Sequence, residues 1–179
     1  ATTNATVSTT NAVFNGQVVG DDLHVSATGV FAAKTAGTAR TVNLTSSYNG
    51  TDLANYAITG QATTTATITP KALTVSGFVA NNRVYDGGLV ATINASNVFL
   101  AGLISGDVVT ASATGTFADK NVGTAKTVTL TSSYAGADKD NYTITSQATS
   151  TANITPKALT ISGITATDKT YDNTTAATV

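Results

Sequence analysis

The chain has 179 residues, 41% of them hydrophobic and only 11% charged, against roughly 25% charged in an ordinary globular domain. One His, no Cys and no Glu exclude a disulfide framework, a thiolate nucleophile and a thiolate zinc site, and leave little for general acid–base chemistry. A formal net charge of −1 with nine Lys plus Arg argues against nucleic acid as a partner, and no run approaches the roughly 18 apolar residues of a membrane span.

The first residues, ATTNATVSTT, have neither the basic start nor the apolar centre of a signal peptide. Thr (38) and Ala (29) dominate, yet the hydrophobic fraction suffices for a core, so low charge does not predict disorder. Shifted by 86 positions, the sequence matches itself without a gap. Residues 20–93 and 106–179 agree at 44 of 74 positions, while residues 1–19 and 87–105 agree at only 4 of 19. A period of this length is one small domain rather than a solenoid coil. The chain holds two periods and a short remainder, so it is expected to be a segment of something longer.

In chain order, the patterning is that of strands with one face buried. Thr63, Thr65, Thr67 and Thr69 alternate along one strand. Ile68 to Leu73 carries Pro70, whose missing N–H places it at a strand boundary. Tyr85 to Gly88 reads as a turn. Asn97 to Ile104 (NVFLAGLI) is the best helical stretch, but Gly102 breaks it, and a strand or loop fits equally. Turns follow at Ser105–Gly106–Asp107 and at Asp119 to Gly123. Val128 and Leu130 then alternate with Thr127, Thr129 and Thr131. After a turn at Ala135 to Asn141, Tyr142, Ile144 and Ala148 alternate with Thr143, Thr145 and Gln147. Pro156 repeats Pro70, and Leu159 and Ile161 alternate with Thr160 and Ser162.

Few residues invite chemistry. Asp138, Asp140 and Asn141 are the densest acidic spot and the one candidate for calcium, which takes carboxylate and amide oxygens. Their counterparts keep Asp52 and Asn55 but have Ala54, so a turn capped by Asp and Asn is the plainer reading. Tyr85–Asp86–Gly87 and Tyr171–Asp172–Asn173 read as Asx turns anchored by the Tyr, with a binding loop as the sharper alternative. Tyr48/Tyr134, Tyr56/Tyr142 and Phe31/Phe117 recur in both periods and are assigned to the core rather than to a sugar-stacking platform. The Thr row is too short per period for ice binding. The seven N-x-(S/T) sequons follow from Thr-rich composition. His24 is replaced by Thr110 and is read as a surface residue. Lys120, Lys126, Asn121 and Asn141 supply the partners for an isopeptide cross-link, but no Glu is present to promote one.

The strings ITPKALT, (R/K)-x-YD(G/N), GTFADKNVGTAKTVTLT and DNYTIT recur in order at this period. Together they resemble the YDG repeat of large bacterial surface adhesins of the filamentous-haemagglutinin-like or autotransporter-like kind. The resemblance rests on Tyr85, Asp86 and Gly87, on Lys120 to Lys126, on Asn141 to Thr145 and on Ile154 to Leu159. Asn173 departs from the pattern but tolerates the positive φ that Gly supplies. The resemblance implies an extracellular, cell-surface location and a stalk or adhesive role, and carries over no catalytic residue.

The expected fold is all-β, with tandem small antiparallel Ig-like sandwiches forming a rod; β-grasp-like modules are the alternative if NVFLAGLI is a helix. The expected function is a structural spacer that presents a distal tip for attachment or biofilm. The competing reading makes each repeat a glycan- or host-protein-binding module. No enzyme activity, cofactor, nucleic-acid partner or membrane insertion is expected. The modules are drawn as 1–70, which lacks its first strand, 71–156, which is complete, and 157–179, which carries the first strand and turn of a next module. A sheet short of a strand exposes unpaired backbone and an apolar groove. Strand addition between neighbouring copies, or a covalent neighbour in a longer polypeptide, would fill it.

Overall fold

The computed structural model describes residues 3–178 and is all-β apart from two single-turn 3-10 helices, Leu53–Asn55 and Lys139–Asn141. In chain order the strands are β1 (Asn4–Ala5), β2 (His24–Phe31), β3 (Gly37–Asn49), β4 (Thr63–Ile68), β5 (Lys71–Ser76), β6 (Val79–Ala80) and β7 (Arg83–Val84). They continue as β8 (Val90–Ala91), β9 (Ile93–Asn94), β10 (Phe99–Ala101), β11 (Thr110–Phe117), β12 (Gly123–Ala135), β13 (Tyr142–Thr145) and β14 (Thr149–Thr155). Two compact units result. One comprises Ala1–Gly77, Ser96–Ser112 and Ser132–Gln147; the other comprises Phe78–Ala95, Ala113–Thr131 and Ala148–Val179. No helix among the described residues is long and apolar enough to cross a membrane, which says nothing of a β-barrel.

The first unit holds the antiparallel sheet β1-β2-β3-β4, in which β2 and β3 pair from His24↔Asn49 to Phe31↔Val42. Its second sheet has the order β10-β5-β13. Here β5 runs antiparallel to β10 and parallel to β13, with Leu73 opposite Ile144. Period-two alternation in β5 turns Leu73 and Val75 inward, and Leu73 is 0% exposed. Leu73 joins Val109 and Tyr142 in a core cluster flanked by Leu100, Leu103, Ile104 and Ile144.

In the second unit, β7-β14-β12-β11-β8 form one sheet, contributed by the unit's own stretches of β11 and β12. Val128 and Leu130 are buried while Thr127, Thr129 and Thr131 between and beside them are exposed, as period-two spacing predicts. Phe117 and Ile154 are buried as well, and the Arg83 guanidinium lies 5.0 Å from the Phe117 ring centroid.

Strands separated by 86 residues correspond: β1 with β8, β2 with β11, β3 with β12 and β4 with β14. Even the irregularities recur. A bulge falls between Gly37 and Arg40 and again between Gly123 and Lys126. The bulged alanines take left-handed backbone, Ala39 at φ 50° and Ala125 at φ 48°.

Two sequence expectations change. Of the open alternatives for NVFLAGLI, a strand is adopted at Phe99–Ala101, because β5 lies beside it to pair with. The alternation through Tyr142 to Ala148 is not one strand: β13 ends at Thr145, and β14, which starts at Thr149, belongs to a different sheet.

Candidate functional site

The loops of the two repeats are held by the same polar network. In the second repeat the Tyr142 hydroxyl accepts from the Ile104 N–H at 3.0 Å and donates to Asp107 Oδ2 at 2.6 Å. In the first, Tyr56 accepts from the Val18 N–H at 2.9 Å and donates to Asp21 Oδ2 at 2.6 Å. Burial, then the bond to Asp107, pushes the Tyr142 hydroxyl above its ordinary pKa; the bond to Asp21 does the same for Tyr56. Asp138 Oδ2 accepts the Val108 N–H at 2.9 Å, as Asp52 Oδ2 accepts the Asp22 N–H at 2.9 Å. Asp21 and Asp107 drew no expectation from the sequence, although their retention beside Tyr56 and Tyr142 in both periods was the available signal.

The calcium candidate resolves into separate tasks. Asp138 Oδ1 takes the Asn141 amide at 3.4 Å, and Asn141 Oδ1 accepts the Ala36 N–H at 2.9 Å. Asp140 pairs with the neighbouring Lys139 at 2.6 Å and is exposed. Asp138 and Asn141 therefore meet, but their oxygens serve protein N–H groups. Among the described residues no three of His, Cys, Asp and Glu are grouped as a metal site.

Both copies of the YD(G/N) segment form the same turn. Asp86 Oδ1 accepts the Gly88 N–H at 2.8 Å, and Asp172 Oδ1 accepts the Thr174 N–H at 3.0 Å. A basic residue three positions earlier pairs with each carboxylate: Arg83 with Asp86 at 2.9 Å and Lys169 with Asp172 at 2.8 Å. The Lys169 ammonium holds the Asp172 carboxyl below the usual carboxylate range. Gly87 has φ 80° and Asn173 has φ 57° at the same turn position. Tyr85 is half-buried and donates its N–H to the Thr155 carbonyl at 2.9 Å, whereas Tyr171 is exposed. Pro70 stands between β4 and β5, and Pro156 directly follows β14. Of the recurrent aromatics, Phe117 and Tyr142 are buried, while Phe31, Tyr48, Tyr56 and Tyr134 are half-buried.

The largest concavity is a groove of about 520 Å³ in the first repeat, lined among others by Val13, Phe14, Leu23, Leu44, Tyr48 and Ile58. The Phe14 and Tyr48 rings meet edge to face on its wall, with centroids 6.2 Å apart. Val13–Asn15 and Tyr56–Thr59 border it and correspond to β10 and β13, yet neither forms a strand. In the second repeat β5 lies between β10 and β13; among the described residues no strand takes that place in the first. A smaller groove of about 360 Å³, lined in part by Asn4, Phe31 and Ile68, lies elsewhere in the same unit. Leu159 and Ile161, the counterparts of Leu73 and Val75, are 90% and 79% exposed in a tail without strands.

The family model of the YDG domain matches this chain twice, over residues 1–66 and 69–151. Neither a curated protein nor a solved structure matches it.

Proposed function

The chain belongs to the YDG domain family, and from that premise we propose that it is a stretch of spacer repeats in the stalk of a secreted or surface-attached bacterial adhesin. In this reading each 86-residue repeat is a small β-sandwich of Ig-like kind, and successive repeats form a rod that holds a distal tip away from the cell. The role is mechanical, in attachment or biofilm, and needs neither catalysis nor a cofactor.

One observation carries the reading: the repeats preserve scaffold rather than a reactive cluster. Strand correspondences, left-handed bulges and the Tyr–Asp loop bonds all recur at the same offset. A connector reduced to the few residues around Pro70 supports stiffness, since it lacks the length and composition of a flexible linker. The absence of Cys and Met suits a fibre exposed to oxidants.

Small-angle scattering of a four-repeat protein tests the proposal. Strands of this length give about 30–45 Å of rise per repeat, so an elongated particle that lengthens by that increment is expected. A compact particle would overturn the spacer reading.

A further inference from the structure

The tail Lys157–Gly163 (KALTISG) repeats Lys71–Gly77 (KALTVSG), with one conservative change, Val75 to Ile161. The first copy is a buried strand, and the second is exposed. The first repeat has an apolar groove where the second repeat has that strand. From this match we propose that the groove of one chain takes residues 157–163 of a second copy of this chain as an added strand.

The occupant is specified by the chain's own filled example. Shifting the pairs of β5 by one period sets Leu159 opposite Ile58 and Lys157 opposite Tyr56 in parallel, and Ile161 opposite Phe14 in antiparallel. Leu159 then takes the place of Leu73, beside Leu23 and Tyr56, the counterparts of Val109 and Tyr142. Main-chain ladder bonds form on both sides, and the side-chain slots fix the register.

The same copy satisfies the second groove. β7 pairs parallel with β14 through Arg83↔Ile154, and Arg83 lies on Phe117. One period on, Lys169 pairs with Ile68 and covers Phe31, both of which line the smaller groove. A single incoming stretch, 157–172, therefore fills two vacancies whose spacing it already matches. Because groove and tail are different surfaces of one chain, the contact is heterologous, so copies add head to tail. The inference goes beyond the spacer reading and does not rest on it, since a covalently joined rod needs no association between chains.

Sedimentation velocity of the 179-residue chain over a roughly hundredfold range of concentration tests it. Mass is expected to rise past the dimer with concentration. Leu159→Asp puts a charge into the Leu73 position and should weaken association by at least about tenfold, while leaving the circular dichroism of the dilute monomer unchanged. Gly163→Ala provides a second variant. At Gly77 an added Cβ would lie 2.1 Å from the Asn97 carbonyl oxygen, whereas at Gly163 it meets nothing within 4 Å. The Ala variant should therefore fold normally and fail to assemble. A mass that stays monomeric at every concentration overturns the proposal, as does association indifferent to both substitutions. A monomer whose Tyr56–Thr59 amides are protected from exchange, and lose that protection in Leu159→Asp, also overturns it, because the tail then fills its own groove.

Discussion

Asn141 Oδ1 accepts the Ala36 N–H at 2.9 Å across 105 residues of sequence, joining a loop of the second repeat to a loop of the first. Its counterpart Asn55 is exposed. Asn141→Ala should cost about 1 kcal/mol, the ordinary net value of a hydrogen bond, and Asn55→Ala close to nothing. Urea midpoints of the two variants check this. Equal losses would deny the bond its role. A calcium site at Asp138, Asp140 and Asn141 with a Kd of about 10⁻⁴ M would add about 1.4 kcal/mol at millimolar calcium. Since those oxygens accept protein N–H groups, no such gain is expected.

Leu73 and Leu159 occupy the same place in a duplicated segment, one buried and one exposed. Leu73→Ala should destabilise by about 2–5 kcal/mol through lost contacts and the cavity left behind. Leu159→Ala should stay within about 0.5 kcal/mol in dilute solution. Denaturation of both at low protein concentration separates them.

The two loop tyrosines set an alkaline limit. A raised folded-state pKa means that the protonated hydroxyl is favoured by folding. That stability is complete below the unfolded pKa of about 10 and is lost as pH rises through the higher folded value. Tyr56→Phe with Tyr142→Phe should lower stability near neutrality and flatten its fall at alkaline pH. Urea midpoints at a series of pH values up to the alkaline limb show whether the wild-type slope exceeds that of the double variant; equal slopes would refute the assignment.

Asp119 gives the opposite sign. Its bond to Lys126 at 2.5 Å, then the Asn121 N–H, holds its carboxyl below the usual range. The stability it adds is present above the unfolded pKa of about 3.9 and is lost as pH falls through the lower folded value. Asp119→Asn should therefore flatten the acid limb of the same measurement, and an unchanged acid limb would contradict this.

Ala125 sits at φ 48° in the bulge and donates its N–H to Asn153 Oδ1 at 2.8 Å. Left-handed backbone is strained for Ala and open to Gly. Ala125→Gly should therefore stabilise by roughly 0.5–1 kcal/mol, as a higher thermal midpoint; a lower one would show that the bulge is not strained.

What the sequence made legible was local. Val128 and Leu130 alternate with Thr, and they are buried as that spacing requires. Pairing partners were not local, and they decided the rest. Tyr56–Thr59 (YAIT) and Tyr142–Thr145 (YTIT) are nearly the same string, yet only the second is a strand, because Lys71–Thr74 lies beside it. Likewise KALT is a strand after Pro70 and not after Pro156. The Asp107–Tyr142 bond spans 35 residues, so no window of the sequence announced it.

The parallel pairing of β5 with β13 bears on how the fold answers tension. In a parallel pair, pulling the chain before Lys71 against the chain after Thr145 drives the strands past one another instead of peeling them apart. The ladder bonds from Lys71↔Tyr142 to Thr74↔Thr145 then share the load and must yield together. β7 and β14, also parallel, meet force in the same shearing sense. Such strands resist being drawn out far better than an antiparallel hairpin, which unzips one bond at a time.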